Sequence, residues 1–211
     1  GGNQNILSGG IASATTVNSG GLINISQGGS ALALTMSAGA AIGANVIGGG
    51  TTLVSGTNES GSFYISGNTA SNVVLNSRGV LDISSGGIAN STTINSGGNQ
   101  NILSGGIASA TTVNNSGALN ISAGGTANST TVNNGGSENI SSGGIANSAT
   151  INSGGNQNIL SGGIASATTV NSGGNQMVLS GGIASATTVN SGGTIDVASG
   201  GSSYYTQIKS G

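Results

Sequence analysis

The side chains able to do chemistry in this 211-residue chain are few and far apart. There is no histidine, which removes the usual general base and the commonest metal ligand. There is no cysteine, so neither thiolate metal sites nor disulfides are available. Four carboxylates remain, Glu59, Asp82, Glu138 and Asp196. Glycoside hydrolysis needs two carboxyl groups about 5–10 Å apart, and calcium-binding nonapeptide repeats need an aspartate in every turn. Four scattered acids meet neither demand. The many Gly-Gly pairs are not followed by the Gly-Lys-Ser/Thr of a phosphate loop. Arg78 and Lys209 are the only cations and the net charge is −2, which argues against nucleic acid as a partner. The residues point away from an enzyme, and no cofactor is expected.

The elements that must position these residues are set by a repeat. Units begin at Gly2, Gly21, Gly79, Gly98, Gly117, Gly136, Gly155, Gly174 and Gly193, with a constant offset wherever two are adjacent. The typical unit is Gly155 to Gly173, GNQNILSGGIASATTVNSG. Ser60 to Arg78 still aligns, whereas Ala40 to Glu59 is longer by one, and the units total eleven. Fixed-period repetition of this length signals a stack in which each unit is stable only against its neighbours. The expectation is a single all-β parallel solenoid over 1–211, about one coil per 19-residue repeat, roughly 50 Å long at ~4.8 Å per coil. Irregularity is expected at 40–59, where a residue is inserted. It is also expected at 193–211, where Tyr204 and Tyr205 replace the usual Ser-Ala. In this stack Asp82 and Asp196, six units apart, would lie roughly 29 Å from one another.

Composition agrees. Six of 211 residues are charged, 43 are glycine and none is proline. Disordered chains are usually charged and poor in β-branched residues; this one has regularly spaced Ile, Val and Thr. No apolar run approaches the ~20 residues needed to span a bilayer as a helix. The chain starts and stops in repeat phase without a signal peptide, as a piece of something longer would. Seven Asn-x-Ser/Thr matches, at Asn24, Asn58, Asn90, Asn114, Asn120, Asn128 and Asn139, are what so Asn/Ser-rich a chain produces by composition.

Within a unit, glycine pairs such as Gly162-Gly163 and Gly173-Gly174 mark two corners, with extended stretches NQNIL and IASATTVN between them. Leu32, Leu34 and Met36 alternate with Ala33 and Thr35, the period-2 pattern of one buried strand face. Transferred to the typical unit, this places Ser166, Thr168 and Val170 inward and Ala167, Thr169 and Asn171 outward. Ile159 points inward and Leu160 outward, with the same expectation for Ile6/Leu7, Ile102/Leu103 and Val178/Leu179. Strict alternation would also turn the corner serines inward unless the corner breaks it. The Thr column (Thr16, Thr35, Thr93, Thr112, Thr131, Thr150, Thr169, Thr188) leaves a second function open, a ligand- or ice-binding solenoid with a flat Thr face. There the flanking residues are Ala or Ser and Asn rather than a second Thr.

The unit GGNQNILSGGIASATTVNSGG, with its period, its GG corners and its SATTVNSGG stretch, resembles the passenger repeats of self-associating autotransporter adhesins. These are Gram-negative proteins of the kind that includes the diffuse-adherence adhesin, the TibA adhesin/invasin and antigen 43. The resemblance covers about ten of the eleven units. It implies a right-handed parallel β-helix displayed at the cell surface, held to the outer membrane through a translocator barrel outside this segment. It also implies adhesion, autoaggregation and biofilm formation, with copies of itself and host-cell surfaces as partners. The first two members further imply O-heptosylation of repeat serines by a dedicated cytoplasmic heptosyltransferase. Carried onto this chain, the acceptor candidates before the first glycine pair are Ser8, Ser66, Ser85, Ser104, Ser142, Ser161, Ser180 and Ser199. At the second corner they are Ser19, Ser77, Ser96, Ser153, Ser172, Ser191 and Ser210. The alternative role for each is to cap its turn by bonding nearby backbone.

Overall fold

A computed structural model describes residues 1–122 and 124–210. Every regular element among them is a β-strand of two to seven residues. A typical turn of the solenoid contains three strands, Asn156–Ile159, Ile164–Ser166 and Thr169–Val170. Each pairs in parallel with its counterpart in the next turn: Ile159 lies opposite Val178, Ala165 opposite Ala184 and Val170 opposite Val189. Repetition builds three faces, a ten-stranded first sheet, a 13-stranded second sheet and an eight-stranded third sheet. The chain is thus a parallel β-solenoid, as its period predicts.

Its cross-section is three-sided, not the two-stranded section that the glycine pairs suggest. The third corner carries no glycine. Ala167 turns it with a φ of 55°, and Ala14, Ala33, Ser91, Ala110, Ser129, Ser148 and Ala186 do the same at 53–56°. A left-handed residue with a Cβ costs roughly 1–2 kcal/mol. Here the strands on both sides are fixed by their ladders, and Ala167 N donates to Ser185 O of the next turn at 2.9 Å. This hidden corner resets the side-chain alternation. Ala165 and Ala31 are therefore the buried residues, while Ser166 and Leu32, both expected inside, face outward and are only half-buried. Past the corner the expected facing holds: Thr168, Val170, Leu34 and Met36 are buried, and Thr169 and Asn171 face outward.

The core is a narrow prism filled by one column per inward position. Ile140, Ile159 and Val178 form one, Val132, Ile151 and Val170 another, and Ala146, Ala165 and Ala184 a third.

Between residues 40 and 78 two sequence units complete a single turn. The strand Ala41–Ile47 pairs directly with Val80–Ser84, Gly43 opposite Val80. The extra chain forms an antiparallel hairpin, Leu53–Asn58 with Gly61–Ser66, which folds back antiparallel onto Thr69–Ser71. Eleven sequence units therefore yield ten strands on the first face. The final unit stays in register, contrary to the break expected at 193–211. Ser202–Tyr204 and Gln207–Ile208 continue the second and third sheets. Tyr205 takes the corner conformation at φ 55°, and both tyrosine side chains point outward, so their bulk never meets the core.

Candidate functional site

The two glycine-bearing corners hold the serines singled out by sequence. At the first, Gly163 N donates to Leu160 O at 2.9 Å, closing a tight turn over Ser161 and Gly162. At the second, Gly174 N donates to Asn171 O at 2.9 Å over Ser172 and Gly173. Gly162 N also bonds Gly181 O, and Gly173 N bonds Gly192 O, so each corner stacks as a ladder of its own. With its backbone committed to the turn, the serine leaves the strand alternation and its side chain points to solvent. Ser8, Ser85, Ser104, Ser142, Ser161, Ser180 and Ser199 are exposed along the first corner. Ser19, Ser77, Ser96, Ser153, Ser172, Ser191 and Ser210 are exposed along the second. Ser66 is exposed but belongs to neither row; it ends the inserted hairpin strand, opposite Leu53.

At Ser8, Ser19, Ser77, Ser142, Ser153, Ser161, Ser172 and Ser180 the hydroxyl rests over a glycine of the next turn. A Cβ on Gly181 would come within 2.7 Å of Ser161 Oγ, and one on Gly192 within 2.5 Å of Ser172 Oγ. These glycines are needed twice, for their left-handed φ of 77° and 76° and for the clearance they give the serine above. The result is two straight rows of accessible hydroxyls, ~4.8 Å apart along the axis where turns are adjacent. Gln27 and Gly48 interrupt the first row, and Ala38, Asn115 and Asn134 the second.

The rows differ in their surroundings. The first runs between two columns that are aliphatic in part, with Ser84, Ser122 and Ser141 interrupting the leucines and Thr126 the isoleucines. Leu103 and Leu7 are exposed, and Leu160 and Leu179 half-buried, on one side; Ile107, Ile145 and Ile164 are exposed on the other. The leucines face outward as expected, but the isoleucine column was not signalled, because its facing depends on the third corner. The second row runs beside an asparagine ladder in which Asn171 Nδ2 donates to Asn152 Oδ1 and Asn190 Nδ2 to Asn171 Oδ1, each at 2.8 Å. The Thr column of the third face lies beside this ladder. Without a histidine in the chain, no imidazole base can activate these hydroxyls. No group of three or more metal-binding side chains occurs among the described residues. Chemically the corners offer acceptors and hydrogen-bonding groups.

A stacked β-solenoid with serine-lined corners defines a class of repeat stalk. The model of an autotransporter family, described as an adhesin of the bacterial autotransporter system, probable stalk, matches residues 55–117, 103–155, 141–193 and 155–211. These spans cover well over half of the chain, which belongs to that family. No curated protein matches the chain. Among solved structures it is similar to the TibC-catalysed hyper-glycosylated TibA fragment, residues 55–350, with 34% identity and a TM-score of 0.63. That match covers 100% of this chain and 86% of the other.

Proposed function

We propose that this segment is a rigid, surface-displayed adhesin stalk whose corner serines are O-heptosylated by a dedicated heptosyltransferase before export. The observation that carries the reading is the pair of exposed hydroxyl rows, presented in register by a scaffold that does nothing else chemically with them. The similarity to a hyper-glycosylated fragment supports it. Attachment to the outer membrane runs through a translocator barrel outside this segment. The displayed stalk contacts host-cell surfaces and copies of itself, promoting autoaggregation and biofilm formation, and has no enzymatic role. Contacts of this kind are individually weak and gain strength through many displayed copies.

Co-expression with a heptosyltransferase of the TibC type, followed by intact-mass and peptide mapping, tests the modification. Discrete additions on corner serines are expected, with strand serines such as Ser109 and Ser166 untouched. An unmodified mass, or additions spread over strand serines, overturns the proposal. Display of the modified and unmodified stalk on cells then measures adhesion and aggregation.

A further inference from the structure

The first inward position of the first strand is filled along the stack by Leu81, Gln100, Leu119, Glu138, Gln157 and Gln176. Each glutamine in this column is held by a threonine across the prism, eleven positions later in the chain. Thr111 Oγ1 donates to Gln100 Oε1 at 3.0 Å, Thr168 Oγ1 to Gln157 Oε1 at 3.1 Å and Thr187 Oγ1 to Gln176 Oε1 at 2.9 Å. Glu138 breaks the rule twice. It is a carboxyl among amides, and the equivalent position across the prism is Ala149, which has no hydroxyl. Its Oε2 accepts a hydrogen bond from Gln157 Nε2 at 2.7 Å, but Oε1 has no partner. The side chain is completely buried.

Nothing nearby balances a charge there. The strands packed around Glu138 are Ala118–Ile121, Thr126–Asn128, Thr131–Val132, Ile145–Asn147, Thr150–Ile151 and Asn156–Ile159. None carries a titratable or charged side chain, and between Asp82 and Asp196 Glu138 is the only charged residue. A carboxylate buried without a counter-charge takes up a proton instead. We propose that Glu138 is a buried proton-binding site, neutral in the folded stack, and that its ionisation is a pH-triggered weakening of the turns on either side. Burial pushes its carboxyl above the ordinary value, against the smaller opposing pull of the neighbouring Gln157 amide and Thr130 hydroxyl. Because each turn touches only its neighbours, a charge at this point loosens one joint of the rod and leaves the distant turns intact.

The chain has two glutamates, Glu59 and Glu138. In an E59Q chain labelled with ¹³C at the glutamate carboxyl, one resonance therefore reports on Glu138. The proposal expects that resonance to titrate at least ~1 pH unit above its midpoint in the same chain unfolded in urea. Amide exchange at Ile140 and Ile159 should accelerate over the same pH range beyond its intrinsic base-catalysed rise, and E138Q should abolish the excess. Titration at the unfolded-chain midpoint overturns the proposal. So does an exchange profile that is the same in E138Q as in the parent. If E138Q fails to fold, the resonance decides alone.

Discussion

Ala149 is a single missing hydroxyl, and Glu138 Oε1 is left unpartnered. Restoring the hydroxyl with Ala149→Thr is expected to supply Oε1 with the bond that Thr168 gives Gln157, adding about 1 kcal/mol to stability in urea denaturation. A loss of stability would mean that the prism has no room for it. The pH dependence follows from the same site. Burial raises the folded-state pKa of Glu138 above its unfolded value. Its contribution to stability is therefore fully present below the unfolded value and is lost as pH rises through the folded value. The urea midpoint of the parent chain should fall across that range, while the Glu138→Gln chain lacks this fall. The isolation of Glu138 is legible in the sequence. Its burial beside Ala149 is not, because the contact spans two corners, one of them invisible to glycine counting.

Two elements recur along the rod, the corner and the ladder. At the corner, Gly181→Ala should destabilise by about 1–2 kcal/mol from its left-handed conformation alone. The collision with Ser161 Oγ adds to this. Ser161→Ala should relieve only the second part, so denaturation of the double variant will show less than additive loss. In the ladder of the first face, Asn158 donates to Asn139, Asn139 to Asn120, Asn120 to Asn101 and Asn101 to Asp82 Oδ1, at 2.7–3.0 Å. A carboxylate at Asp82 can only accept, which agrees with this direction; Asn24 to Asn5 and Asn147 to Asn128 share it without a carboxylate. Asn120→Asp removes the donor to Asn101 and should cost about 1 kcal/mol, measured by the shift in urea midpoint. The recurrence of Asn at one place in successive units is legible in the sequence; which amide donates to which is decided only by the stacked turns.

For the whole molecule, stability is a sum over turns and their interfaces. Excising residues 155–173, one full unit, should leave a folded, shorter rod with a lowered urea midpoint and an unchanged β-type circular dichroism spectrum. Excising one residue fewer should abolish in-register pairing at the junction, because a one-residue slip turns inward side chains outward. The partly aliphatic columns beside the first serine row belong to this scale too. Changing Leu160 and Leu179 together to Ser is expected to weaken aggregation of cells displaying the stalk, with little loss of stability. Lost stability with unchanged aggregation would assign both side chains to packing alone.

The sequence by itself determined the period, the parallel stack and the glycine corners. The reason is that like residues one repeat apart can satisfy their backbones and bury their Ile and Val only on one another. Only the tertiary structure decided the number of sides. Ala167 and Ser148 carry no local mark of a left-handed bend; the ladders on either side impose it, and the facing of Ser166, Leu32 and Ile164 follows. It also decided that Ser66 leaves the serine row, since the hairpin at 53–66 competes with a regular turn through pairings made with distant residues. Where an outcome rests on repetition it is written in the chain; where it rests on which neighbour wins a bond, the folded stack settles it.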